Sequence, residues 1–555
     1  MRAVLVFPPQ WDPRQPPLAP AVLAGALRRA GADVLVRDLN LALYRQLLRS
    51  ELPGGIEAFL LGKLLDPASL RNAPEYMRIT GELQKIFDER FDPRGKGRLF
   101  WDTCGGTPSA AASHDWKSVL AAPDSVPFLR HLEPEIAEIL AWKPDFIGIS
   151  VISDTQLAAS LALAARFRRD LPRARIILGG DAITYRRSML SGMNWLQPAI
   201  DAVGIGDGEP LLAELVTGVS LMEAPNAVSW DAAAAGHAHH SFVINMSDVG
   251  SPDFDRLPLK AYLTPHLVMP IETARGCPWG RCSFCIHPVR AATGRPRYRP
   301  KPAGHVATEI GSLFAAGHRR FFIVDEAVPP PRLRELSGIF ASLPEPVSWI
   351  AYARLDEGHT RESFDRARAA GCRKLFIGVE SGSDRILGKF HKGTNTTRSR
   401  RILRDAAAAG LAVHFFLMTG FPGEKEIDRQ ATLDLLADVW PAFDPFGVSF
   451  DLFALTGELE TDLATAPTSF GWNGPIRDSY NDLAWQFPVT SGPAAANSLH
   501  EFRTRITSLA DRILGPDFGL RHAALAQDSL HLLLLEARNK AAGREGEARG
   551  RRLFS

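Results

Sequence analysis

Three of the chain's five cysteines, Cys277, Cys282 and Cys285, lie within nine residues of the stretch ETARGCPWGRCSFCIHPV at 272–289. Clustered thiols of this kind either hold metal or carry redox chemistry, and local spacing leaves three versions open. Structural zinc wants four soft ligands, and His287 could be the fourth, but a second short cysteine clip is missing. A dithiol redox pair at Cys282 and Cys285 would need a thioredoxin-like strand and helix around it. An iron–sulfur cluster held by three thiolates instead of the usual four would keep one iron open for a substrate. Phe284, inside the loop, could cover a ligand's flat face. Cys104 and Cys372 are isolated and read as buried or free thiols.

The elements around this loop read as two α/β patterns in series. In the first, apolar runs at 3–7, 32–38, 145–151, 174–181 and 201–209 alternate with helical stretches at 18–31 and 155–170. Such runs imply a parallel sheet covered on both faces, doubly wound and Rossmann-like. Ligands of these sheets sit beyond the C-terminal strand ends, where the chain places Asn40, Ser150, Ser153, Gly179, Gly180 and Gly206. Poor periodicity across about 64–128 reads as an insertion that covers something.

In the second pattern, apolar runs at 267–275, 320–327, 348–355, 374–381, 413–420 and 447–455 are separated by helical stretches. Five of the six starts stand roughly 25 to 40 residues apart, about one βα unit each. Six units predict a partial (β/α)6 barrel, with its chemistry at the C-terminal strand ends. Those ends carry Glu272 and Arg275, Asp325 and Glu326, Arg354, Glu380 and Ser381, and Gly420. The cysteine loop follows the first of these strands on the same face.

At these residues the chain resembles the radical S-adenosylmethionine (SAM) enzymes. The loop agrees, as do VDEA at 324–327, ARLD at 353–356, GVESGS at 378–383 and TGFPGE at 419–424. With FPPQ and PPLAP near the start and AVGIGDGE at 202–209, it is similar to the cobalamin-dependent, class B methyltransferase-like subgroup. The resemblance implies a cobalamin-binding Rossmann-like domain at 1–220, a linker at 221–264, a radical SAM barrel at 265–456 and a mainly helical region with a basic tail at 457–555. It implies that Cys277, Cys282 and Cys285 bind a [4Fe–4S] cluster whose fourth iron takes SAM. Asp325 and Glu326 would meet the methionyl ammonium and Arg354 the carboxylate. Glu380 and Ser381 would meet the ribose, and Phe284, Met418 and Gly420 the adenine. Cobalamin would lie at Asn40, Ser150, Ser153, Gly179, Gly180 and Gly206. Asn40 stands where a cobalt-ligating histidine would be, so histidine ligation is not expected there. The spacing departs from the family's C-x3-C-x2-C by one residue, and the glycine in Pro-Trp-Gly-Arg supplies the freedom for that detour.

The implied reaction is reductive cleavage of SAM to a 5′-deoxyadenosyl radical, then methyl transfer from methylcobalamin to an unactivated carbon of a secondary metabolite or peptide. A flavodoxin, ferredoxin or reductase would supply the electron. Cobalamin-linked rearrangement, ring contraction or cyclisation without net methyl transfer is the alternative reaction. A methylthiotransferase is disfavoured because a second cysteine trio is missing. A cobalamin-binding sensor with a degenerate barrel and a zinc-stapled scaffold are the non-enzymatic alternatives.

Composition bounds the partners. The 555 residues are 45% hydrophobic and 23% charged, with a formal net charge of +2, which makes no case for nucleic acid. Nowhere do eighteen apolar residues run together, so a membrane span is not expected, and a cytoplasmic setting follows from the clustered thiols. Helical spacing at 501–514 and 529–542 predicts two helices against the barrel, followed by a solvated tail.

Overall fold

The computed structural model describes residues 1–49, 55–91, 116–221, 223–229, 242–287, 298–474, 486–490, 493–516, 518, 522 and 528–541. Cys104 and the basic tail beyond 541 lie outside these residues.

The first sheet contains β1 (Arg2–Phe7), β2 (Asp33–Asp38), β3 (Phe146–Ser150), β4 (Arg175–Gly179), β5 (Ala202–Gly204) and β6 (Ala227–Ser229). Their order is β2-β1-β3-β4-β5-β6, parallel except for β6, which pairs antiparallel with β5. Five residues of β1 are buried in succession, because helices cover both faces of the sheet. The order reverses between β1 and β3, which opens a crevice at their C-terminal ends. The loops across it are tied together: Gln156 Nε2 donates to the Pro8 carbonyl at 2.7 Å and Thr155 Oγ1 to the Gln10 carbonyl at 2.9 Å.

The second sheet contains β7 (Met269–Ile271), β10 (Arg320–Val328), β11 (Ser348–Ala353), β12 (Cys372–Glu380), β13 (Ala412–Thr419) and β14 (Val448–Ala454) in spatial sequence, all parallel. A short pair, β8 (Ala274–Arg275) and β9 (Arg299–Pro300), branches from the end of β7. β7 and β14 do not pair with each other, so the barrel is partial, as expected. Its helices pack outside on Leu375, Ile377, Phe415 and Leu417, which are all buried.

Of the 64–128 stretch, 92–115 lies outside the described residues, and the rest is largely helical where poor periodicity was read. Ala73–Phe91 is a nineteen-residue helix burying Tyr76, Ile79, Thr80, Leu83, Phe87 and Phe91. Those positions recur every three or four residues, a helical stripe. It packs against the Leu39–Leu47 helix, with Tyr44 edge-on to Phe87 at 5.0 Å. The two C-terminal helices span Pro493–Leu514 and Asp528–Ala541. The second buries Leu530, Leu532, Leu533 and Leu534 in the cluster that includes Phe322, Ile350 and Phe376 of the barrel. Among the described residues, no helix is long and apolar enough to cross a membrane.

Candidate functional site: the cysteine loop and the barrel mouth

The loop is fixed before its first cysteine. Both carboxylate oxygens of Asp325 on β10 are engaged by Thr273 and Ala274: the Thr273 amide donates at 2.6 Å, the Ala274 amide at 3.0 Å, and the Thr273 hydroxyl also donates. Glu326, the next residue, accepts from the Gly276 amide at 2.9 Å. This corrects the expectation that both acids meet a SAM ammonium. Consecutive strand residues point to opposite faces, so only one of the two can face the mouth. Asp325 is fully buried behind the sheet and Glu326 is half-buried on the open side. Burial pushes Asp325 up to about 7 against those three donors. Ser381, just past β12, is buried, with Oγ accepting from the Ser383 amide and lying 3.5 Å from Thr432 Oγ1.

From Gly276 the chain turns through two glycines with positive φ, 84° at Gly276 and 56° at Gly280. Gly280 is the glycine of the enlarged spacing, and it takes the left-handed turn that side chains disfavour. Trp279, beside it, donates from Nε1 to the His391 carbonyl at 2.7 Å. Its ring lies so close to Gly393 that a Cβ there would collide with it. The loop is anchored further by the Ser283 amide on the Phe390 carbonyl and the Ile286 amide on Glu458.

All three cysteines are free thiols. The Cys285 amide bonds the Cys282 carbonyl at 3.1 Å. Cys282 and Cys285 line one cavity of about 830 Å³ with Trp279, Arg281, Gly393 and Glu460. Burial raises both thiols, while Lys392 and Arg354 oppose the rise at Cys282. Among the described residues, no three of His, Cys, Asp and Glu are gathered tightly enough for a single ion. His287, the fourth ligand a zinc site would need, instead has Nδ1 4.0 Å from Glu326. Thiolates around one zinc, each about 2.3 Å from the metal, must crowd together. Cys282 and Cys285 face one cavity whose volume leaves room for a multi-atom cluster.

Arg354 joins this loop to the barrel. Its Nη1 is 3.8 Å from Cys282 Sγ and its Nη2 donates to the Lys392 carbonyl at 2.7 Å. Lys392 Nζ in turn donates to Glu380 at 2.6 Å. The pair lies across Gly378, where any Cβ would collide with both partners. Glu380 has φ 61°, a conformation costly for a non-glycine residue and typical of residues held for a purpose. Lys392 and Trp279 were not singled out in the sequence, because lone residues in loops carry no periodic signal. Phe284 and Met418 pack on the cluster of Ile386, Phe390 and Phe421, and Gly420 has φ 82°. Glu326, Arg354, Glu380, Phe284, Met418 and Gly420 therefore gather around the mouth, without Asp325 and Ser381.

The strand-end residues of the first domain lie along one edge of its sheet. Ser150, Gly179, Gly180 and Gly206 lie at the ends of β3, β4 and β5. Gly180 has φ 105° and lies against the Val151 carbonyl, whereas a Cβ at Gly206 would meet only open space. Ser153 caps the next turn. Asn40 is buried, with Oδ1 accepting from the Trp11 amide at 2.8 Å, so it holds the loop after β1. Arg275 binds the domains together, donating to Asp207 at 2.8 Å and Glu209 at 2.6 Å, both in the GDGE segment. It also bonds Glu272 at 2.8 Å, and Arg299 bonds Asp207 at 2.8 Å. Burial pulls the Arg275 guanidinium down, but its three carboxylates outweigh this and hold it charged. Tyr185, also from the first domain, is close enough to be felt by Glu326 and Cys285.

Residues 271–436 match the model of the Radical SAM superfamily. An uncharacterized methyltransferase of Pyrococcus horikoshii is 24% identical over 331 residues, covering 58% of this chain and 69% of that one. A tRNA-2-methylthio-N(6)-dimethylallyladenosine synthase of Chlorobium luteolum is 30% identical over 181 residues, covering 30% of this chain and only 39% of that one. Two solved structures superpose along nearly the whole chain. The cobalamin-dependent SAM radical enzyme OxsB, with aqua-cobalamin bound, has a TM-score of 0.61 at 15% identity, covering 98% of this chain and 76% of that one. The radical SAM methyltransferase TsrM from Kitasatospora setae, with cobalamin and a [4Fe–4S] cluster bound, has a TM-score of 0.58 at 16% identity, covering 99% and 100%. Residues 271–436 thus carry a Radical SAM superfamily domain, and nearly the whole chain takes the fold seen in the cobalamin-dependent SAM radical enzyme OxsB and the radical SAM methyltransferase TsrM.

Proposed function

We propose that this protein is a cobalamin-dependent radical SAM enzyme that transfers a methyl group to an unactivated carbon of a small molecule or peptide. The observation that carries the reading is the junction at Arg275. One guanidinium ties the GDGE edge of the first domain to the residue before Gly276 and Cys277, so the two cofactor edges adjoin. Bound there, a [4Fe–4S] cluster would supply the electron that cleaves SAM, and a corrinoid would supply the methyl group.

Cys277, Cys282 and Cys285 would hold the cluster. Glu326 would accept from the methionyl ammonium, and Arg354, beside Cys282, would offer its guanidinium to the carboxylate. Glu380, fixed by Lys392, would accept from the ribose hydroxyls, while Phe284, Met418 and Gly420 would form the adenine wall. The edge at Ser150, Ser153, Gly179, Gly180 and Gly206 offers a flat macrocycle a surface with few side chains, and buried Asn40 holds the loop beside it. Phe284 and Met418, packed on Phe390 and Phe421, would shield one side of the reacting carbon from water. A flavodoxin, ferredoxin or reductase is the expected electron donor.

The test is anaerobic reconstitution followed by iron analysis, deoxyadenosine quantitation and product mass. Cys282→Ala should lose at least tenfold in deoxyadenosine formation, and full activity in that variant would refute the reading. A product heavier by one methylene unit supports methylation, whereas an unchanged mass moves the assignment to rearrangement or cyclisation.

A further inference from the structure

A strap from beyond the last barrel strand crosses the cysteine loop on its Cys285 side. It begins in the Thr456–Glu458 strand, which pairs antiparallel with Gln486–Pro488, and runs into the short Asp462–Thr465 helix. Three ties fix it. The Leu463 amide donates at 2.8 Å to the carbonyl of Ser283, which lies between Cys282 and Cys285. Arg187 of the first domain pairs with Glu460 at 2.6 Å. Glu458 Oε2 accepts from the Ile286 amide at 3.0 Å. Glu458 and Cys285 are both half-buried, so this carboxylate is held next to a thiol where water screens it poorly.

The two amides that follow Cys285 are used differently. That of His287 donates to the Cys285 sulfur and pulls its thiol down, whereas that of Ile286 goes to Glu458. Burial pushes the Cys285 thiol up, and among the charged groups of the described residues Glu458 adds most to that rise. At Cys282 burial also raises the thiol, but the leading charges, Lys392 and Arg354, lower it. Each of those cations has its own carboxylate, Glu380 at 2.6 Å and Asp356 at 3.3 Å, which offsets part of its effect. The anion at Cys285 is therefore the stronger influence on the loop. A charge that holds a proton on sulfur more tightly holds an electron on the neighbouring iron more loosely, because like charges repel. Nearby charge and hydrogen bonds to sulfur are the levers by which a protein sets the potential of an iron–sulfur cluster. Glu458 works both, by its own charge and by engaging the amide next to Cys285.

We propose that Glu458 sets the reduction potential of the cluster, holding it lower, and so more strongly reducing, than the cysteine loop alone would. The assignment rests on the radical SAM reading, in which the reduced cluster gives one electron to the sulfonium of SAM. A carbon–sulfur bond then breaks to leave methionine and the 5′-deoxyadenosyl radical. A lower potential drives that transfer further.

The test is a redox titration of the anaerobically reconstituted full chain without SAM. The solution is poised with titanium(III) citrate, and the reduced cluster is followed by electron paramagnetic resonance. Glu458→Gln keeps the shape and the acceptor for the Ile286 amide but removes the charge. At the midpoint of the unaltered protein, its ratio of reduced to oxidised cluster should be about tenfold higher, a rise of about 59 mV for one electron. Glu458→Asp keeps the charge and should stay within about threefold of the unaltered ratio. A potential unchanged or lowered in Glu458→Gln would overturn the proposal, as would a shift in Glu458→Asp as large as that in Glu458→Gln. Failure of Glu458→Gln to fold or to hold the cluster would also overturn it, since the residue would then serve only as a bracket for the loop. An unaltered protein that takes up no iron refutes the radical SAM reading itself. A reducible cluster with the same potential in all three proteins refutes only the role of Glu458.

Discussion

Replacing Arg275 by Met should unfasten the domain junction. The side chain is 15% exposed and bonds Asp207, Glu209 and Glu272 at 2.6 to 2.8 Å. Three carboxylates are thereby shared by two guanidiniums, since Arg299 also reaches Asp207. At an effective dielectric of about 20 each close contact is worth roughly 4 kcal/mol before desolvation. Three lost contacts come to about 12 kcal/mol gross, most of it offset by no longer burying the guanidinium. What remains is the cost of leaving Glu209 and Glu272 without their arginine while Asp207 keeps Arg299, about 3–5 kcal/mol. Urea unfolding followed by tryptophan fluorescence and circular dichroism should show a loss of that size. Adding Glu209→Gln should recover about 1–2 kcal/mol, because one unpaired charge is gone. Iron retained after reconstitution should fall in Arg275→Met, as the residue precedes Gly276 and Cys277. A loss below about 1 kcal/mol, or no recovery in the double variant, would refute the view that this ion cluster holds the domains together.

Two further outcomes concern the first domain. Gly180→Ala should cost at least about 2 kcal/mol, because φ is 105° and the added Cβ collides with the Val151 carbonyl; an unchanged melting temperature would contradict this. Asp38, buried and bonded by the Tyr262 hydroxyl at 2.7 Å and the Leu41 amide at 2.8 Å, is pushed by burial up to about 6. Its folded-state value lies above the unfolded one, so its contribution is full below about pH 4 and is lost as pH rises through 6. The stability difference between the unaltered protein and Asp38→Asn should therefore shift by about 1 kcal/mol between pH 5 and pH 7, against the unaltered protein at the higher pH. A difference independent of pH would count against the burial argument.

Most strands of both sheets were legible because they are short, largely buried apolar runs, a pattern local to their own residues; β6 was not, its three residues being too few to carry one. The cysteine loop was legible for a similar reason, since its three thiols and its extra glycine lie within nine residues. The Ala73–Phe91 helix was not: breakers around it hid a stripe that shows itself only against the Leu39–Leu47 helix.

The amino-acid sequence by itself determined the parallel strands of the two α/β patterns and the thiols at the end of the first barrel strand, because apolar periodicity and ligand spacing act over a few residues. Tertiary structure alone decided which acid of the Asp325–Glu326 pair faces the mouth, since strand pleat and the partner amides of Thr273 and Ala274 set that choice. It alone brought Arg275 to Asp207, 68 residues earlier in the other sheet's domain, and Lys392 to Glu380 within the barrel, because such charges meet only once folding encloses them in a medium where an unpaired charge is costly.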